Sequence, residues 1–271
     1  MLRLSPAEEY AITEKKKAEP QLSHRQLSGS LRQDGYWISP SSCYRVLKAL
    51  GWVLAATLRE VPWKQPRYEP YRPNQIWGED WTMLRIAGLR HYLLTIIDYF
   101  SRYIVAWGVV ETVTQREVQA LLAMAYTSEG IEQQELKPIL RFDQGSPNMA
   151  RKTRGLINDL KMVISPARVS RPTDNARQER WYRTVKQEEI YCYPSYASKD
   201  IAEWSLACYI EHYNERRPHQ ALWNCTPGQL HRLGNKSLLC SHYKQMVQVA
   251  KEQRKQTNLI TRWNQVQLGP N

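Results

Sequence analysis

The middle of this chain is predicted to be an α/β domain, a mixed sheet flanked by helices. A small helical domain precedes it and a basic, mostly helical tail follows. Three observations carry this expectation. Strand-like runs come first as three in succession, at 75–82 (QIWGEDWT), 91–98 (HYLLTIID) and 103–110 (YIVAWGVV), and then alternate with helical segments. Hydrophobic residues make up 42% of the 271 and charged residues 24%, which suits a chain with a sizeable core and excludes wholesale disorder. Prolines at 62, 66, 70 and 73 make 61–74 an extended linker, so the chain divides there.

Ser23 with Gln26 three residues on is a capping-box pattern, and 24–32 reads as the helix behind it. Asp34-Gly35 marks a turn. Pro40 opens a second helix that runs through Leu50, with Gly51 just past its end. Tyr44, Val46, Leu47 and Leu50 are expected on its apolar face, with Ser42, Arg45 and Lys48 outward. Two helices across a short turn fit a helix-turn-helix within residues 1–60, whose Ser42, Arg45 and Lys48 would face a DNA major groove. A helical hairpin that only packs on the next domain is the plainer alternative.

After the linker and the three strands, 114–128 has helical periodicity, and 138–143 (PILRFD) is a short strand ending in an acid. The residues at 145–148 (GSPN) form a loop, 150–160 a helix, 162–165 a strand, and 165–173 a Pro-punctuated loop. Helices follow at 175–189 and 199–214, and the domain is expected to close at 230. In the tail, 231–271, residues 238–263 read as helical and carry Arg254, Lys255 and Arg262, but match no motif.

Thirty-eight Lys and Arg against 26 Asp and Glu give a net charge of +12. The excess lies at the two ends, +5 over 1–75 and +6 over 231–271, while 76–230 nets only +1. Within that near-neutral middle, 141–186 is locally +7 and yet holds carboxylates. Such a balance favours a polyanionic partner, because each neutralised phosphate releases condensed counterions. An anionic membrane is disfavoured, since no isolated basic amphipathic helix stands out and no apolar run reaches the ~18–20 residues of a span. The opening MLRLSPAEEY does not read as a signal peptide. Five cysteines, odd in number and without a CxxC pair, point to a reducing cytoplasm.

Asp80 and Asp143 sit in or at the ends of apolar strands, and Glu179 lies one turn into a helix opened by Asp174-Asn175. Carboxylates in such places are costly unless compensated. Magnesium compensates them naturally, through hard oxygen ligands. Two such ions ~3.5–4 Å apart can activate an attacking oxygen and stabilise a leaving one. Strand alternation puts Glu79 on the face opposite Asp80. Arg183 and Lys186, at +4 and +7 from Glu179, share its helix face and could grip phosphates. An intrahelical ion pair of ~0.3–0.5 kcal/mol is the plainer reading of Glu179 with Arg183. Trp181 and Tyr182 read as core and rim.

Asp80 in WGEDWT, Asp143 in RFDQGS and Glu179 in DNARQE, with 35 residues between the last two, resemble the DDE motif of retroviral integrases and related bacterial transposases. Asp98 with Ser101-Arg102 (DYFSR), Asp174-Asn175-Ala176, Lys186 in TVKQE, and YNERRPHQAL followed by Thr226-Pro227 extend the resemblance over about 75–230. The chain is most similar to insertion sequence family three, to the transposase subunit read from the second of two overlapping frames, and its N-terminal helices look like that group's helix-turn-helix. The resemblance implies an RNase H-like fold and a triad of Asp80, Asp143 and Glu179 holding two Mg2+ ions, with Mn2+ as a substitute. It implies cleavage at the element's ends and joining of the freed 3′-hydroxyl to target DNA. It also implies double-stranded DNA as partner, a homo-oligomer of at least two copies, an upstream helix-turn-helix frame product, and a bacterial, nucleoid-associated location. One departure stands out. Residues 1–70 hold only His24 and Cys43, so the His₂Cys₂ zinc module of retroviral integrases has no counterpart.

Three further residues are assigned structural roles. Asp98 is expected to cap the Ser101 turn, and Asp174 to cap the Glu179 helix. His219 is expected to fix a turn, since two-metal chemistry needs no histidine base. Cys225, His231, Cys240 and His242 fit no common zinc spacing. Two rival functions carry their own discriminators. A non-catalytic DNA-binding protein would need no metal, and a nuclease of the same fold would cut without joining.

Overall fold

The computed structural model describes residues 4–52, 69–142, 150–165 and 176–267, so most of the expected linker lies outside the described residues. Three helices come first: α1 (Pro6–Ala18), α2 (His24–Gln33) and α3 (Pro40–Ala49). Then follow β1 (Ile76–Ile86), β2 (Leu89–Asp98), β3 (Ile104–Val110), α4 (Gln115–Ser128), β4 (Ile139–Arg141), α5 (Arg151–Asp159) and β5 (Val163–Ile164). The last elements are α6 (Ala176–Glu188), α7 (Lys199–Glu211), α8 (Pro227–Leu233) and α9 (Lys236–Gln267). These elements divide into two compact units: 1–67 with 217–226 and 235–271, and 68–216 with 227–234.

The second unit holds the predicted mixed sheet, in the order β3-β2-β1-β4-β5. β1, β2 and β3 form an antiparallel meander, and β4 and β5 add to β1 in parallel. β1 runs four residues past the expected 75–82. The reason is the alternation of Met83, Leu84, Arg85 and Ile86, whose Leu84 and Ile86 are buried, and the tight turn beyond them. That turn uses Ala87 and Gly88, both at positive φ (48° and 77°), and such a turn matches the twist of the paired strands.

Both faces of the sheet are covered, which is why its strands read as continuous apolar runs. Ile76, Leu84, Leu93 and Ile97 pack against Trp181 and Val185 of α6 and Leu206 and Ile210 of α7. Trp77, Leu94 and Ile96 point the other way, to Val118, Leu121, Leu122 and Ala125 of α4 and Ile157 of α5. The helix expected through Asn214 ends at Glu211 and widens into a π-type turn, His212–Arg216. There the Asn214 amide accepts from the Ile104 N–H (2.9 Å) and donates to the Ile104 carbonyl (3.0 Å), acting as one extra rung of the ladder on β3.

In the first unit, Ile12, Leu27, Leu31, Cys43 and Leu47 make a small core. α1 was not anticipated, although Ser5 and Glu8 form a capping box at its start. On α3 the buried seam is Cys43 and Leu47, not the four residues expected; Leu50 is 45% exposed because it caps the helix rather than extending its apolar face. Arg45 and Lys48 are exposed, and Ser42 bonds to Ser39 (2.9 Å) and accepts from Arg45 (3.1 Å). α9 contributes Arg254, which clasps Glu8 of α1 through Nη2 (2.6 Å) and Nε (2.8 Å) and donates to the Trp37 carbonyl (3.2 Å). Arg32 of α2 donates to the carbonyls of Trp223 (2.6 Å) and Asn224 and lies over the Trp37 ring. No described helix is long and apolar enough to cross a membrane.

Candidate active site

Asp80 stands on the central strand directly opposite Thr95 of β2. Thr95 is fully buried, and its hydroxyl accepts from Gln178 Nε2 (2.9 Å) and Trp181 Nε1 (3.1 Å). The same oxygen lies 2.9 Å from the Tyr182 hydroxyl, which donates its own proton to the backbone carbonyl of Asp80. The Thr95 hydroxyl therefore donates to Tyr182, and all three groups are used. Burial, and then the negative charge of Asp80, push the Tyr182 phenol well above its ordinary range, so it stays a donor.

This network fixes the rotation of α6. Gln178, Trp181, Tyr182 and Val185 are buried toward the sheet. Glu179, Arg183 and Lys186 are thereby turned to the side, where they line a cleft of about 420 Å³ with Asp80, Thr82 and Tyr191. Asp80 Oδ1 accepts from the Trp81 N–H (2.8 Å). Glu79 is buried, on the face away from the cleft.

One pleat before Asp80, Gly78 makes room for Tyr99: a Cβ there would sit 2.2 Å from the tyrosine ring. The guanidinium groups of Arg141 and Arg177 lie 5.7 and 5.5 Å from that ring's centre. Arg102 is held at φ +68°, and burial, with repulsion from Arg177 and Arg180, lowers its pKa. This part of the sheet is thus rich in arginine.

Asp143, Asp174 and the loop at 145–148 lie outside the described residues. β4, which leads toward Asp143, runs parallel beside β1 with Arg141 paired to Gly78. The carboxylates of Asp80 and Glu179 come from different elements into one cleft, and hard oxygen donors of this kind fit a divalent cation such as magnesium. Among the described residues no group of three or more His, Cys, Asp or Glu gathers as a ligand set. Cys225 meets Arg32 instead (3.3 Å).

The other predicted residues sit elsewhere. Asp98 is fully buried; its Oδ1 accepts from the N–H (2.7 Å) and the hydroxyl (2.6 Å) of Ser101, and its Oδ2 from the Asn74 N–H (2.9 Å). His219 belongs to the first unit, where its N–H donates to the Cys225 carbonyl (3.0 Å) and closes the turn 219–225. Ser42, Arg45 and Lys48 also belong to the first unit. The sequence reading passed over Thr95, Gln178 and Tyr191. For Gln178 a signal existed, since it shares the 3–4 residue spacing of Trp181, Tyr182 and Val185.

Two family profiles, both described as integrase core domain, match residues 70–172 and 160–227. A protein of Escherichia coli (strain K12) named as transposase InsK for insertion sequence element IS150 is 25% identical, covering 83% of this chain and 84% of its own length. The transposase for insertion sequence element IS904 of Lactococcus lactis is 30% identical over 55% of this chain and 58% of its own length. Among solved structures, a chain of the simian T-cell lymphotropic virus intasome, in complex with PP2A regulatory subunit B56 gamma, superposes with a TM-score of 0.52. At 17% identity, over 77% of this chain and 74% of that one, the likeness is one of fold.

Proposed function

The chain belongs to the integrase-core family of insertion-sequence transposases, relatives of the retroviral integrases, and from that premise we propose that it cuts DNA at the ends of its element and joins the freed 3′-hydroxyl to target DNA. Its mixed sheet with flanking helices is the RNase H-like fold that the sequence resemblance implied. The observation that carries the reading is a single cleft lined by two carboxylates, Asp80 and Glu179, and two cations, Arg183 and Lys186.

Asp80, Asp143 and Glu179 would hold two Mg2+ ions, with Mn2+ as a substitute. Those ions would supply activation of the attacking oxygen and charge stabilisation of the leaving one. The protein's own part is positioning. The Thr95–Tyr182 network holds the strand of Asp80 and the helix of Glu179 in register, and Arg183 and Lys186 take the phosphates on either side of the reacting bond. In both steps the nucleophile is external to the protein, water in cleavage and the freed 3′-hydroxyl in joining, so no side chain becomes covalently attached to DNA.

In the same reading, residues 1–60 bind double-stranded DNA through Ser42, Arg45 and Lys48, 61–74 link them to the catalytic domain at 75–230, and the basic tail 231–271 follows. Asp98, Asp174 and His219 are structural. Acting on two element ends requires at least two copies, and an upstream frame product would add another DNA-binding module. The site of action is the bacterial nucleoid.

The test uses the purified chain with Mg2+ or Mn2+ on a branched DNA that mimics the joined product. Wild type should resolve the branch into a joined duplex. Glu179→Gln and Asp143→Asn should lose that reaction and keep DNA binding. Wild-type-like joining by either variant would remove its residue from the metal site.

A further inference from the structure

α6 ends at Glu188, and the chain then makes a single 3₁₀ turn, Ile190–Cys192. Within that turn burial reverses. Ile190 is buried, while Tyr191 is 69% exposed, its ring standing at the rim of the cleft that holds Asp80, Glu179, Arg183 and Lys186. The chain is anchored just ahead of the turn. Glu189 accepts from the Tyr196 hydroxyl (3.0 Å) and from Ser205, and Glu188 accepts from the Tyr209 hydroxyl (2.8 Å). An exposed aromatic face beside two carboxylates and two cationic side chains suits a ligand that is both anionic and flat.

A DNA strand fits that description once a base has left its stack. Arg183 and Lys186 lie one helical turn apart and take the backbone, so the strand leads past Tyr191 on its way to the carboxylates. Drawing a phosphodiester down into the cleft pulls its nucleotide away from the duplex, at a cost in stacking that an aromatic face returns. We propose that Tyr191 is the stacking platform for one unpaired nucleobase of the strand whose phosphodiester lies at Asp80 and Glu179. The site is thereby assigned a substrate with an opened end rather than a continuous duplex. The inference rests on the proposed function, since it presumes DNA in the cleft.

A thermodynamic cycle tests it, using the full chain and branched DNAs that each carry one abasic site near the branch. Affinity is measured without divalent metal, so no chemistry is needed. Tyr191→Ala should bind intact DNA about 10-fold more weakly, the size of one lost stacking contact. That penalty should vanish on one abasic DNA and persist on the others, because only the base that Tyr191 touches is coupled to it. Tyr191→Phe should restore the affinity, since the ring rather than the hydroxyl carries the contact. The salt slope of Tyr191→Ala should match wild type, because no counterion is released by stacking. No loss in Tyr191→Ala, a penalty equal on every abasic DNA, or a Tyr191→Phe as weak as Ala would overturn the proposal. Unchanged thermal melting of both variants guards against a folding defect. A wild type that binds but never joins DNA with metal defeats the catalytic reading alone, and the cycle still reports on Tyr191. A wild type that does not bind DNA defeats both.

Discussion

Thr95 has no charge and no chemistry of its own, yet three side chains of one helix converge on its hydroxyl. Removing one member of a buried network leaves the others unsatisfied at about 1–3 kcal/mol each. Tyr182→Phe deletes the donor to the Asp80 carbonyl; we expect about that loss in chemical denaturation, together with slower joining than the stability loss explains. A joining rate equal to wild type would show that this register does not matter to the reaction. Gly78→Ala should also destabilise by about 1–3 kcal/mol, because its Cβ would meet the Tyr99 ring and the packed sheet cannot yield easily. On the polar side, Lys186→Ala should make the salt dependence of DNA binding shallower by about one unit in log–log slope, measured by titration at several salt concentrations. That Asp80 and Glu179 share one cleft could be expected from the sequence, where identity, order and flanking motifs set them apart. Thr95 was not legible, since its importance comes from its register against Asp80, which only strand pairing creates. Tyr191 was hidden because its exposure reverses within three residues, faster than any periodicity reports.

At the scale of elements, α8 is the instructive case. Seven residues are too few to show a helical period, so it passed unread, and so did the polar cluster it carries. His231 sits between Ser101 Oγ (2.9 Å from Nδ1) and Glu129 (2.8 Å from Nε2), with Asp98 3.7 Å away and the Tyr103 ring stacked at 4.6 Å. Burial alone would lower the imidazolium's pKa, but hydrogen bonds and charge from Asp98 and Glu129 outweigh it and raise it to about 9. Glu129 moves down correspondingly: burial opposes the shift, but the His231 bond and charge prevail. A raised histidine pKa contributes stability that is whole below its unfolded value near 6.5 and is lost as pH climbs through about 9. The second unit should therefore melt at progressively lower temperature between pH 6.5 and 9, at a total cost of up to about 3 kcal/mol. His231→Gln should flatten that slope. A wild-type melting temperature constant over this window would contradict the ion pair. Longer elements of the sheet domain fared better, because β1, β2, β3, α4, α6 and α7 carry enough alternation or periodicity to be read, and the misplaced boundaries fall at turns such as Ala87-Gly88 and His212–Arg216.

The molecule as a whole is threaded back and forth between its two units, and this no local pattern could announce. Glu8 and Arg254 are 246 positions apart, yet they form a nearly buried pair inside the first unit. Burial alone would raise the Glu8 pKa, but bonds to Arg254 and Ser5 override it and hold the carboxylate below its ordinary range. Arg254→Ala would leave that carboxylate with Ser5 as its remaining partner, a loss of about 1–3 kcal/mol. Hydrogen exchange should then quicken at the amides of α1, while the sheet amides of the second unit keep their protection. Equal exchange in α1 would mean that water already compensates Glu8.

The same threading has a consequence for biosynthesis. The sheet of the second unit is fully encoded by residue 164, and the helices at 6–49 can pack their own small core, but their further partners at 217–226 and 236–267 come last. At about 5–20 residues per second, the wait for them lasts roughly 10–40 s after α3 has been made. During it the nascent helices can reach neither the carbonyls that Arg32 will hold nor the arginine that will clasp Glu8. Translation that stops between codons 217 and 254 therefore releases chains with a finished sheet and a first unit that lacks the clasp on Glu8.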